Sequence, residues 1–127
     1  MAEEIINRVA SSTLITLDLE EYYHPGERVV FDIAEHLYQG LVLREKDFRD
    51  FVKSCDWSTY TNKNVAITCS ADAIVPTWAY MLLTSKLEPY ANMVVFGDLE
   101  VLEHSLYREA LSKIDLKSFE EAKVVIK

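Results

Sequence analysis

The sequence predicts an α/β protein with a small mixed sheet, in which an N-terminal β-hairpin precedes a parallel βαβαβ unit. Short apolar runs alternate with longer helix-forming segments through the second half of the chain, a pattern typical of parallel strands joined by helices. In the first half, a Pro-Gly turn separates two apolar runs. The chain has 127 residues, 50% of them hydrophobic, so we expect one globular α/β domain over residues 1–127.

The first half of the chain supplies the predicted hairpin and one helix. Residues 3–9 form a short amphipathic helical piece. Residues 13–19 and 28–33 are predicted strands, and the turn at residues 24–27 between them, His-Pro-Gly-Glu, joins them as antiparallel neighbours. Residues 44–55 predict a helix, because apolar side chains recur on one face and charged ones cover the other. The apolar face consists of Phe48, Phe51, Val52 and Cys55.

The second half carries the alternating pattern. Residues 57–64 are rich in Ser, Thr and Asn and are predicted to be a polar loop. The strands of the βαβαβ unit are predicted at residues 65–68, 93–96 and 123–127, and its helices at residues 76–90 and 99–114. Parallel neighbours need a long crossover connection. Each helix should therefore carry the chain back to the end of the sheet at which the next strand begins.

The net charge of the chain limits which classes of molecule can bind to it. It has 13 Lys and Arg against 21 Asp and Glu, a formal charge of −8, which repels phosphate backbones. We therefore expect no nucleic-acid partner, and an acidic surface suited to basic proteins. No signal-peptide pattern or membrane-length apolar run is present in the sequence, so we expect a cytoplasmic protein with reduced thiols and no membrane association.

Cys69 is the candidate functional residue. It falls between a predicted strand and a helix that opens on Pro76, so it lies at the carboxyl end of a strand. Open α/β sheets bind ligands there, and reactive thiols occur near helix N-termini. Ser70, Asp72 and Trp78 are the candidate binding residues around it, although Asp72 is also expected as a helix cap or loop acceptor. The thiol could be nucleophilic, persulfide-carrying or metal-binding, or it could simply pack, as most buried cysteines do.

The other titratable residues give weaker signals. Cys55 is expected in the core, and the spacing of the two cysteines does not fit a metal site, so no metal is expected. His24, His36 and His104 are predicted to be surface or capping residues. The sequence leaves open whether the fold brings one of them to Cys69 as a catalytic base.

The predicted helix at residues 76–90 is apolar nearly all round. Its apolar residues include Trp78, Tyr80, Met81, Leu82 and Leu83. Such a helix is either buried on both sides or part of an interface. A protein partner or a homo-oligomer is therefore expected.

Four segments resemble a bacterial family of unknown function, domain-of-unknown-function family 2480. They are EIINRV at residues 4–9, DLEEYY at residues 18–23, LREKDFR at residues 43–49 and VAITCSADAIVPTWAY at residues 65–80. The resemblance covers almost the whole chain. It implies that the protein continues beyond residue 127 with a second strand–cysteine–helix unit, and that the strand at residues 123–127 pairs with the one at residues 65–68.

The resemblance also implies an accessory or interaction protein linked to iron–sulfur cluster or sulfur metabolism. It assigns no cofactor and no substrate. Two alternatives stay open from the residues themselves: a small-molecule enzyme with Cys69 as its nucleophile, and a purely structural domain in which Cys69 packs.

Overall fold

The computed structural model describes residues 14–127, and the amphipathic piece predicted at residues 3–9 lies outside the described residues. Within residues 14–127, five strands and three α-helices are present. In chain order they are β1 (Leu14–Leu17), β2 (Arg28–Asp32), α1 (Glu45–Ser54), β3 (Asn64–Thr68), α2 (Thr77–Leu87), β4 (Met93–Phe96), α3 (Leu99–Ser112) and β5 (Lys123–Ile126).

The chain divides into two compact units. The larger unit is Pro25–Leu106, and the smaller unit combines the chain up to His24 with Tyr107–Lys127. The larger unit holds a three-stranded sheet in the order β2-β3-β4, and the smaller unit holds the two-stranded sheet β1-β5. All strand pairs in both sheets are parallel, so the fold is α/β but the expected mixed sheet is wrong.

The predicted hairpin between the first two strands is also wrong. β2 pairs with β3, with Val30 opposite Ala66, and β1 pairs with β5. After β1 the chain enters a short 3-10 helix at Leu19–Tyr22, which Asp18 caps by accepting a hydrogen bond from the Glu20 N–H. This turn ends the first strand before the Pro-Gly sequence is reached, so that sequence does not join paired strands.

The last strand does not extend the larger sheet. The expected pairing of residues 123–127 with residues 65–68 is wrong, because β5 lies beside β1 with Leu14 opposite Lys123 and Leu17 opposite Ile126. The βαβαβ pattern therefore contributes two strands to one sheet and its third strand to the other. The apolar character of Val124 and Val125 favours a strand but does not select its neighbour.

β3 lies at the centre of the larger unit and is covered on both faces. Val65 and Ile67 pack in a core with residues of α1 and α2, while Ala66 packs in a second cluster. Ala66 is covered by Leu102 and Leu106 of α3. Because both faces of the strand are buried, its three central residues, Val65, Ala66 and Ile67, are all apolar.

The predicted polar loop at residues 57–64 is wrong over its first half. Trp57–Tyr60 forms a 3-10 helix whose cap is Asp56, and Trp57 is only 7% exposed. The Trp57 indole donates to the Val52 carbonyl over 2.9 Å, so its one polar atom is satisfied inside the core. Ser58 and Thr59, two of the polar residues that suggested a loop, are exposed on this turn.

The amino-terminal edge of the larger sheet is held by Asn64, which is fully buried. Its Nδ2 donates to the Gly26 carbonyl over 3.3 Å, and its Oδ1 accepts from Asn92 Nδ2 over 2.7 Å. The side chain thus links the chain before β2 to the chain before β4. A buried amide is stable only when such partners satisfy it.

Replacement of Asn64 by Ala should lower the free energy of unfolding by about 1–3 kcal/mol, because the Asn92 amide and the Gly26 carbonyl lose a buried partner. Urea unfolding followed by circular dichroism measures the change. Ser85→Ala is the matched control, since the Ser85 hydroxyl is exposed and bonds only within its own helix. Equal stability of the two variants would contradict the role of Asn64.

Gly97 directly follows β4 and has φ +142°, and a Cβ there would lie 2.9 Å from Val101 Cγ2. Gly40 also has a positive φ, +69°, but a Cβ at Gly40 would meet no atom within 4 Å. Gly97→Ala should therefore cost about 2 kcal/mol more stability than Gly40→Ala, since overpacking typically costs about 1–3 kcal/mol. Thermal and urea unfolding of both variants test this. Val101→Ala in the Gly97→Ala background should recover part of the loss, and no recovery would argue against the clash.

Candidate functional site

A cavity of about 430 Å³ opens at the carboxyl ends of β3 and β4, within the larger unit. We call it the Cys69 cavity. Its lining residues are Ile67, Thr68, Cys69, Thr77, Tyr80, Phe96 and Gly97. The carboxyl end of parallel strands is where α/β proteins bind ligands, so this is the position that the sequence predicts for a site.

The Cys69 thiol is half-buried and donates to the Ala71 carbonyl, with 3.6 Å between sulfur and oxygen. Beside it, the Tyr80 and Phe96 rings meet edge to face with centroids 5.3 Å apart. Burial raises the pKa of the Tyr80 hydroxyl, and charge on Cys69 raises it further. Phe96 remains 54% exposed, so an apolar wall stands next to the thiol and is open to solvent.

Ser70 is tied to Asp32, the last residue of β2. Asp32 Oδ1 accepts from the Ser70 backbone N–H over 3.0 Å, and Oδ2 accepts from the Ser70 hydroxyl over 2.6 Å. Oδ1 also accepts from the Ala34 N–H over 2.9 Å. We call the contacts between Asp32 and Ser70 the Asp32–Ser70 latch. These hydrogen bonds, first of all that from the Ser70 hydroxyl, lower the pKa of the Asp32 carboxyl.

Sequence reasoning missed Asp32, although a signal was present. Asp32 directly follows the apolar run of its strand, and the register places it opposite Thr68. The carboxyl ends of parallel strands lie together, so a polar residue at the end of β2 reaches the loop after β3. The position of Asp32 indicates this role only when β2 is known to pair with β3. The hairpin prediction paired β2 with β1, so the role of Asp32 was not recognised.

The other two predicted binding residues lie away from the thiol's contacts. Asp72 is exposed, and the helix cap expected of it is absent, because Pro76 occupies the N-cap of α2 without a side-chain bond. Trp78 packs on α1, with its ring 5.8 Å from that of Phe48 and beneath the Arg49 guanidinium. Neither residue lines the Cys69 cavity.

The histidines occupy different environments. His36 is not the surface or capping residue that was expected, since its ring stacks on Phe51 at 3.9 Å and on Phe31 at 5.3 Å between centroids. Burial lowers the pKa of His36, although charge on Glu35 and Asp32 raises it in part. His104 is exposed on α3, as predicted, 3.9 Å from Glu100. Among residues 14–127, the hydrogen-bond partner of the Cys69 sulfur is a carbonyl and not an imidazole.

Cys55 follows α1 and packs against the core of the larger unit, in agreement with the prediction. Burial raises the pKa of its thiol, and the neighbouring Asp56 charge raises it further. In the part of the chain that the structure describes, no group of three or more His, Cys, Asp or Glu side chains could hold a metal ion.

α2 owes its apolar character mainly to burial. Ala79, Leu83 and Leu87 are fully buried, and Trp78, Tyr80 and Leu82 pack partly against the same core. Met81 remains 65% exposed on the outer side. Burial on several sides accounts for most of the apolar pattern, and the homo-oligomer stays a prediction.

The fold and the cavity define an α/β protein with a thiol at the carboxyl edge of a parallel sheet. Residues 3–127 match a family described as protein of unknown function (DUF2480), and the chain belongs to that family. No curated protein and no solved structure matches the chain significantly. Over the described residues, none of the helices has the length and apolar character to cross a bilayer.

His36 should make stability depend on pH. Its pKa lies below the usual value of 6.5 in the folded protein, so the unfolded chain binds the proton first as the pH falls. This contribution to stability is complete above the unfolded pKa and is lost as the pH falls from there through the folded pKa. Urea midpoints measured between about pH 7.5 and about pH 5.5 should fall more steeply for the wild type than for His36→Phe. A His36→Phe slope equal to that of the wild type would refute the assignment.

Proposed function

We propose that this chain is an accessory protein of sulfur or iron–sulfur metabolism, in which Cys69 accepts a sulfur atom and delivers it to a protein partner. The observation that carries the proposal is the place of the thiol, half-buried at the edge of a cavity of about 430 Å³. The link to sulfur metabolism comes from the family resemblance. The structure supports it by placing the Cys69 thiol at the carboxyl end of a parallel strand, where α/β proteins bind ligands.

The surroundings of the thiol favour a carrier over an enzyme. Cys69 donates its hydrogen bond to the Ala71 carbonyl, which cannot remove or return a proton in a reaction. A sulfur carrier needs only a nucleophilic sulfur atom and access for the donor. The exposed ring of Phe96 and the cavity beside it offer that access and a surface for the donor's apolar part.

The transfer step balances without a further reactant. The Cys69 thiolate attacks the outer sulfur of a persulfide, R–S–SH, and the S–S bond of the donor breaks as a new S–S bond forms at Cys69 Sγ. The leaving thiolate R–S⁻ takes up the proton that Cys69 released. The products are a Cys69 persulfide and R–SH, and the reverse exchange with a partner's thiol delivers the sulfur.

The charge of the chain favours a basic partner in the delivery step. A formal charge of −8 raises the encounter rate with a positively charged protein surface at moderate ionic strength. The protein partner and the cytoplasmic location expected from the sequence belong to this proposal.

A small-molecule enzyme with Cys69 as nucleophile is the second candidate, and the volume of the Cys69 cavity is the observation that favours it. The two candidates differ in what remains on the sulfur. A carrier holds the added sulfur until a partner thiol arrives, whereas an enzyme releases its product and regenerates the free thiol.

Incubation of the native protein with glutathione persulfide at neutral pH should add the mass of one sulfur atom to Cys69. Intact-mass and peptide mass spectrometry locate it. Cys69→Ser should abolish the added mass, and Cys55→Ser should retain it, because the raised pKa of Cys55 leaves little of its reactive thiolate at neutral pH.

Sulfur found on Cys55 alone, or on neither cysteine, would overturn the proposal. Repeated consumption of the donor without sulfur retained at Cys69 would favour the enzyme. Each result is read in the wild type and the two serine variants under the same conditions.

A further inference from the structure

We infer that Asp32 is the positioning residue of the Cys69 cavity: its carboxylate holds Ser70 and thereby keeps Cys69 at the cavity edge. The inference rests on the proposed function, since it names the group that keeps the reacting thiol in place. Asp32, Ser70 and Cys69 all belong to the larger unit.

The latch uses both oxygens of one carboxylate. Oδ1 accepts from the Ser70 N–H over 3.0 Å and Oδ2 from the Ser70 hydroxyl over 2.6 Å, so the backbone and the side chain of Ser70 are both held. Ser70 is the next residue after Cys69, and its N–H belongs to the peptide bond that joins the two. A fixed Ser70 N–H therefore limits the rotation of the backbone that carries the thiol.

Three other aspartates provide a comparison within the same chain. Asp18, Asp56 and Asp115 each begin a 3-10 helix and accept the N–H two residues ahead, as Asp32 accepts from Ala34. Asp32 makes two further bonds to Ser70, which lies 38 positions later in the chain. Capping explains the first bond of Asp32 but not the two that reach the thiol's neighbour.

The strength of the latch follows from its charge. Hydrogen bonds to an ionised acceptor are shorter and stronger than those between neutral groups, and the Ser70 hydroxyl bond is short at 2.6 Å. When the Asp32–Ser70 latch is lost, Cys69 keeps only its bond to the Ala71 carbonyl two residues away, and the loop after β3 opens more often. A large reagent detects such opening better than a small one does, because the small one already enters the cavity.

The experiment compares two thiol reagents on the full chain in a Cys55→Ser background, where Cys69 is the one thiol present. Iodoacetamide is the small reagent and a polyethylene glycol maleimide is the bulky one. Asp32→Ala should raise the bulky rate about tenfold and leave the small rate within about twofold, because loss of charge-assisted bonds increases opening. A general loss of stability would also raise the bulky rate, so urea unfolding of each variant is measured alongside, and the rise must exceed the factor that the lost stability predicts.

Three further variants test whether the change in the bulky rate comes from the latch. Asp32→Asn keeps an acceptor oxygen for backbone N–H groups and should bring the bulky rate back toward wild type. Asp115→Ala removes an equivalent cap and should leave both rates unchanged. Ser70→Ala keeps the Asp32–Ala34 cap and should give an intermediate bulky rate, which decides the matter even if Asp32→Ala fails to fold.

An unchanged ratio of bulky to small rates in both Asp32→Ala and Ser70→Ala overturns the inference. So does an equal change in Asp115→Ala. The persulfide experiment on the wild type is independent of this ratio: absence of sulfur on Cys69 defeats the proposed function, whereas an unchanged ratio with sulfur on Cys69 defeats only the role of Asp32.

Discussion

The burial of β3 on both faces is the constraint on which the larger unit depends. Val65 and Ile67 face one core and Ala66 faces another, and each of these side chains is fully buried. Every backbone N–H and C=O of such a strand needs a partner, because water does not reach it. Parallel neighbours on both sides supply those partners, and they also bring the carboxyl ends of three strands to one edge. The cavity and the latch are consequences of that edge.

Local structure was largely predictable from the sequence. The helices α1, α2 and α3 lie within the predicted segments and are shorter by two to four residues in total, at ends where helices fray and caps decide the boundary. β3 and β4 were also predicted at nearly their observed positions. These elements carry strong periodic or apolar patterns, and a pattern of that kind is a property of the segment alone.

Strand pairing was not predictable in the same way. A Pro-Gly turn between apolar runs favours a hairpin, but Asp18 starts a 3-10 helix before that turn and redirects the chain. The same motif, an aspartate followed by a large apolar residue, begins all four 3-10 helices of the described residues: Asp18-Leu19, Asp32-Ile33, Asp56-Trp57 and Asp115-Leu116. It was overlooked because these helices are too short to show periodicity.

The candidate site was predicted in part, because some of its features follow from local sequence and others depend on which strands pair. Cys69 was placed correctly at the carboxyl end of β3, since that follows from the strand and the helix around it. Asp32 and the stacked ring of His36 were missed, because each acquires its role from residues distant in the chain. Side chains such as Trp78 were assigned by proximity in sequence, whereas the turn of α2 directs that ring toward α1.

The pairing of β1 with β5 has a consequence for the order of folding. These strands join positions separated by roughly a hundred residues, and the entropy lost on closing a loop grows with its length. The larger unit lies between them in the chain and is built from pairings of shorter separation. Once that unit is compact, the loop that β1 and β5 must close is effectively shorter. The two-stranded sheet is therefore expected to form late, after the residues that carry Cys69 have reached their places.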